Sequence, residues 1–232
     1  MKKPQFAFLP FLLLGMTAMG LSARIISILF CQAPQFNRLY WLLRLLPAIA
    51  LMVGALVCHL LARQHSAGYL VSYFLNAAGS GCAVGVIFGA RAYAPPPELL
   101  IVLLPAVLLG VLSVVLINIS SKRFHAVIAL VFSIAALILS IAGIFLLRTS
   151  VPAGLGLLFS GLYVLPFPIC MAAALHSKDN PFRYLSFSGF GAFTLIILAA
   201  AVILSDGDIL DGLDFSDISG DFPRKKKGKK QP

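Results

Sequence analysis

Charge is what this chain lacks. Only 11% of its 232 residues are charged, against about 25% in a typical soluble domain. Seven stretches contain no Asp, Glu, Lys or Arg at all: Phe6–Ala23, Leu45–Ala62, Gly68–Ala90, Leu99–Ile119, Ala126–Leu147, Val151–Leu175 and Leu185–Leu204. A water-soluble core is excluded by that alone. Acidic residues are scarcer still. Glu98 is the single glutamate, and every other acidic residue except Asp179 lies between Asp206 and Asp221. Paired-carboxylate catalysis and proton pumping through a buried carboxylate therefore have no residues to run on. The four cysteines, Cys31, Cys58, Cys82 and Cys170, show no CxxC spacing, which argues against zinc and disulfide frameworks. No His-Glu-x-x-His occurs, so the zinc metalloprotease helix is missing. Gly79-Ser80-Gly81 with His125 or His176 is the nearest approach to a serine hydrolase, but both histidines fall near expected span ends. No catalytic residue, cofactor or metal is assigned, and the chain reads as a non-enzyme.

What is present is apolar length. A helix needs roughly 20 predominantly apolar residues to cross about 30 Å of hydrocarbon, and backbone polar groups in lipid must be bonded within the segment. The seven stretches accordingly predict an all-α polytopic membrane bundle of residues 1–204, followed by a disordered tail over 205–232. The first stretch begins like a signal peptide, with Lys2 and Lys3 and small residues at Ala18-Met19-Gly20. Its apolar run continues beyond Arg24 through Ile25–Phe30, which favours an uncleaved first helix. Between the first two spans, Phe36, Leu39, Tyr40 and Leu43 recur on one helical face beside Arg38, Trp41 and Arg44. Residues 35–44 are read as an interfacial helix.

The tail has two signs. Six aspartates interleave with Ile209, Leu210, Leu213, Phe215 and Ile218, and then Arg224, Lys225, Lys226, Lys227, Lys229 and Lys230 follow. The basic end suits anionic lipid headgroups, at about 1 kcal/mol per residue near the surface. The net charge of +10 mostly reports this tail and loop arginines, so nucleic acid is not the expected partner. Lys229-Lys230-Gln231-Pro232 also resembles the dilysine retrieval signal of eukaryotic endoplasmic-reticulum proteins. Placing the N-terminus outside and the tail in the cytoplasm puts most cations inside. Without the tail the balance reverses. A cell-membrane location with that orientation is the expectation.

Leu9-Pro10-Phe11-Leu12-Leu13-Leu14-Gly15 is echoed by Leu104-Pro105-Ala106-Val107-Leu108-Leu109-Gly110, which hints at two inverted three-helix units plus one helix. Ala77, Gly81, Gly85 and Gly89 recur every four residues in the third span, a pattern for close helix packing within the chain or against another membrane protein or copy. On the neighbouring face Tyr69, Tyr73, Asn76 and Ser80 form a polar stripe, with His59 of the second span expected at similar depth to part of it. The sixth span contains Pro166-Phe167-Pro168, where each proline removes an amide donor and breaks the ladder. Broken spans at the midplane are how many transporters bind solutes. Two functions follow. The first is a small transporter or permease with Tyr73, Asn76, Ser80, His59, Pro166 and Pro168 at its site. The second is a non-catalytic accessory or scaffold subunit docking through the glycine face and the tail.

Overall fold

The computed structural model describes residues 8–31, 43–62, 65–90 and 99–205. They form eight helices: α1 Phe8–Cys31, α2 Leu46–Ala62, α3 Ser66–Ala90, α4 Leu99–Ile119, α5 His125–Leu146, α6 Val151–Val164, α7 Phe167–His176 and α8 Pro181–Ser205. No strand occurs among the described residues. The interfacial helix expected over 35–44 lies outside them except for Leu43 and Arg44. So does the tail, including Arg224 to Lys230, except for Ser205 at the end of α8.

Five segments are long and apolar enough to cross a membrane: Phe8–Phe30, Ser66–Gly89, His125–Leu146, Val151–His176 and Pro181–Leu204. Leu46–Ala62 and Leu103–Ile119 are shorter apolar helices. The exterior is unlike that of a soluble protein, and the largely apolar core includes buried polar residues. Leu14, Leu21, Leu29, Leu60, Leu61, Ile138 and Leu198 face outward, while Ser27, Ser72, Asn76, Ser80, Ser113, Ser140, Ser160 and Ser186 are buried. Such an apolar exterior in water would be an aggregation surface, so the helices fit a membrane protein.

Several boundaries differ from the sequence reading for identifiable reasons. α1 runs to Cys31, joining the charge-free stretch that ends at Ala23 to the apolar run Ile25–Phe30; Arg24 is exposed on its outer face, where a long side chain reaches toward the interface without ending the helix. α8 begins at Pro181, four residues before Leu185. Asn180 Oδ1 accepts the Phe182 N–H at 3.1 Å, so an Asn cap followed by Pro at the first helical position starts it early. The sixth span is two helices. α6 stops at Val164 and α7 resumes at Phe167, because Pro166 and Pro168 carry no amide hydrogen.

Side-chain pairings fix the helix directions. Gly15 of α1 faces Tyr73 of α3, Gly81 faces Met19 and Ser22, and Gly89 faces Phe30. These two helices therefore run parallel. α8 is parallel to α3 as well, with Ser186 opposite Ser72 and Phe193 opposite Gly79. α2 runs against α3, pairing Ala48 with Gly79 and Ala62 with Gly68. α5 runs against α6, where Gly143, Gly154 and Gly161 bring the two backbones together. Two packing groups result: α1 and α2 on α3, and α4 and α5 on the broken α6–α7 helix, with α8 packed against both.

Candidate functional site

A polar column descends α3 from one end of the bundle. Ser66 and Tyr69 line a cleft of about 680 Å³, whose other wall is residues 178–183 at the turn into α8. Asn180 Nδ2 donates to Ser66 Oγ at 3.1 Å and ties the two helix starts together. Arg183 and Asp179 pair at 3.3 Å on the exposed rim.

Beneath the cleft, three helices meet in a hydrogen-bonded chain. His59 Nδ1 of α2 lies 2.8 Å from Ser186 Oγ of α8, and Ser186 donates to Ser72 Oγ of α3 at 2.8 Å. With the serine proton committed to Ser72, the His59 Nδ1–H is the donor to Ser186. The rings of Tyr69, Phe187 and Phe190 surround the imidazole at centroid distances of 5.1, 4.7 and 5.7 Å. A serine beside a histidine invites a hydrolase reading, and the geometry argues against it. Ser186 is fully buried in the second turn of α8, where the surrounding amides belong to the helix ladder and provide no oxyanion hole.

Deeper still lies the stripe seen in the sequence. Tyr73, Asn76 and Ser80 are all buried. Tyr163 of α6 donates to the Tyr73 hydroxyl at 3.0 Å, a bridge between the two packing groups. Gly15 of α1 sits against both hydroxyls, and a Cβ there would collide with them. Gly189 of α8 closes over Tyr73 and Asn76, where a Cβ would lie 3.2 Å from the Tyr73 ring and 3.3 Å from Asn76 Cβ. Neither Asn76 Nδ2, Asn76 Oδ1 nor Ser80 Oγ has a hydrogen-bond partner in the protein. Asn76 is ten residues past Ser66, about 15 Å along the axis at 1.5 Å per residue, so these orphaned groups lie near mid-depth. An unsatisfied buried polar group costs roughly 1–3 kcal/mol. A fold that keeps two of them together has a use for them or carries that penalty for nothing.

The structure brings Tyr73, Asn76 and Ser80 together as expected from their spacing. His59 lies at the depth of Tyr69, at the cleft end of the stripe, and bonds to Ser186. Pro166 is held against α8 through Gly191, whose added Cβ would lie 3.0 Å from Pro166 Cβ. Pro168 is buried within α7. At the helix break one carbonyl is taken up inside the bundle: Ser133 of α5 donates to the Leu165 carbonyl oxygen at 2.9 Å. Ser72, Ser186, Tyr163 and Gly189 were missed by sequence reasoning. Their partners lie 90 to 127 residues away, and single serines in apolar helices give no local signal.

The glycine face is fully used inside the chain. At Gly81 a Cβ would collide with Ser22 Oγ and the Met19 carbonyl, at Gly85 it would lie 2.6 Å from the Ala23 carbonyl oxygen, and at Gly89 2.8 Å from Phe30 Cβ. Comparison with protein-family models, curated proteins and solved structures finds no match.

Proposed function

We propose that the chain is a small permease for a neutral polar solute, crossing the cell membrane seven times. The observation that carries this reading is the α3 column, which leads from the cleft at Ser66 and Tyr69 to the orphaned Asn76 amide and Ser80 hydroxyl. An amide that donates and accepts, beside a hydroxyl, recognises solutes of the same kind, such as urea-like or polyol groups. Charge selectivity has no basis there, because neither the described α3 stripe nor its Tyr163 and Gly189 neighbours carry charge. The Tyr73–Tyr163 bond across the two packing groups is suited to a gate that separates when they rock. The parallel course of α1, α3 and α8 supports an odd number of crossings, and the similar packing around α3 and α6–α7 supports duplication. In this reading the N-terminus lies outside, and the basic tail lies in the cytoplasm on anionic headgroups.

An accessory role through Gly81, Gly85 and Gly89 is weaker, because α1 covers that face. Stopped-flow swelling of proteoliposomes tests the permease reading with urea and glycerol as probes and choline chloride as the charged control. Faster entry of a neutral probe than into empty liposomes, reduced by Asn76→Leu, is the expected result. Entry at the empty-liposome rate for both neutral probes removes the basis for the proposal.

A further inference from the structure

At the same end of the bundle a second polar cluster belongs to α5 and α7 and lies apart from the α3 column. His125 opens α5 and is buried, and its Nε2 lies 3.1 Å from the Ser120 carbonyl oxygen. A carbonyl only accepts, so Nε2 carries a proton, and in the neutral ring Nδ1 presents its lone pair. That Nδ1 is closed off from solvent and has no hydrogen-bond partner in the protein. The ring of His176, the last residue of α7, stands with its centroid 5.3 Å from that of His125, the planes inclined at 60°. Ile117, Ala129 and Ala172 pack together and fix α4, α5 and α7 at this end.

We propose that His125 and His176 form a binding site for a borderline transition-metal ion, with zinc as the reference case. Three observations meet there. The first is the orphaned lone pair, which a cation would satisfy. The second is the Ser120 carbonyl, since metal-ligating histidines characteristically donate their other ring N–H to a carbonyl or carboxylate that fixes tautomer and orientation. The third is spacing. With zinc about 2.0–2.1 Å from each ligating nitrogen, two imidazoles at a tetrahedral angle have ring centroids about 5 Å apart, which matches the observed separation. Imidazole nitrogen selects zinc, copper or nickel over magnesium and calcium, which take oxygen.

Among the described residues no third His, Cys, Asp or Glu joins the pair. The remaining coordination positions therefore fall to water or a solute, which makes this a two-ligand site, weaker than the three- and four-ligand zinc sites of proteins. His176 is exposed and gives the ion its route in. Lys122 and Arg123, exposed in the preceding turn, oppose a divalent cation and make the site an exchangeable one. The two histidines stand 51 residues apart in sequence, so no ligand spacing announced them.

Calorimetric titration of zinc chloride into the tag-free full chain in lipid nanodiscs tests the site. One ion per chain is expected, with affinity reduced at least about tenfold by His176→Ala and by His125→Gln, as for lost metal ligands and their supports. His65→Ala, at the same end, should leave it unchanged. Copper(II) titrated in place of zinc should give an electron paramagnetic resonance spectrum with two coordinated nitrogens. His176 is exposed at a helix end, so its variant keeps the fold and separates lost ligation from misfolding. Zinc binding retained in His176→Ala, or no saturable binding at all, overturns the proposal and marks any residual uptake as adventitious.

Discussion

The two faces of α3 are built for opposite purposes. One carries Ala77, Gly81, Gly85 and Gly89, and α1 lies on it so closely that a single added carbon would strike its backbone. The other carries Tyr73, Asn76 and Ser80, equally buried, yet it leaves an amide and a hydroxyl unpaired. In lipid no hydrophobic effect holds helices together, so the glycine face relies on dispersion between closely packed backbones. That face has no slack. The polar face gives up hydrogen-bond energy that simple apolar packing would have kept. Close packing lives on the first face, and the proposed solute chemistry rests on the second.

The largest effect should follow from breaking the glycine face. Gly85→Leu drives a side chain into the Ala23 carbonyl oxygen and Ile26 Cβ, 2.6 and 2.8 Å from where its first carbon would sit. Overpacking typically costs 1–3 kcal/mol, and here the obstacle includes backbone, so a loss at or above about 3 kcal/mol is expected. Fluorescence-detected size-exclusion chromatography should show aggregated or absent protein. A monodisperse peak with wild-type melting would mean that α1 and α3 are not held by this contact.

Asn76→Leu sharpens the contrast because its two effects have opposite signs. Leucine is close to asparagine in volume and removes the unpaired amide, so thermal stability should hold or rise by about 1–3 kcal/mol. Neutral-solute entry should fall to the empty-liposome rate. A destabilised variant would show that the amide has a structural partner and that the polar face resembles the glycine face after all.

How much of this contrast was legible beforehand follows from the range of each interaction. Helix periodicity is local, so both stripes of α3 could be read from residues three and four apart. The break at Pro166–Pro168 was legible for the same reason, since proline acts on its own backbone. Contacts between helices were not. Nothing near Ser186 points to Ser72 or His59, and nothing near Tyr163 points to Tyr73. Arg24 ended the charge-free stretch but not α1, because a charged residue on the outer face of a helix interrupts hydropathy without interrupting the backbone ladder. Likewise Ser133 could not be foreseen as the donor that satisfies the break, so carbonyls that looked free in sequence are not all free in the fold.

Tyr163→Phe tests the bridge between the packing groups and should act more gently. It removes one hydroxyl–hydroxyl bond of 3.0 Å, and interhelical hydrogen bonds in membranes average about 0.6 kcal/mol. A shift in melting temperature near the limit of detection is expected, together with faster solute entry if the bond holds the two groups closed. Unchanged entry would reduce the tyrosine pair to packing.

The smallest effect should come from a glycine that belongs to neither face. Gly20 of α1 has open space where a Cβ would stand, whereas Gly15 on the same helix would collide with both tyrosine hydroxyls. Replacing a mid-helix glycine by alanine stabilises by roughly 0.5–1 kcal/mol through backbone entropy when nothing obstructs the methyl. Gly20→Ala should therefore melt at or slightly above the wild type, with solute entry unchanged, while Gly15→Ala loses stability. The pair differs only in what lies across from α1, so it isolates packing from helix propensity. If Gly20→Ala were as damaging as Gly15→Ala, backbone freedom in α1 would be the requirement, and close approach would no longer explain why this helix is rich in small residues.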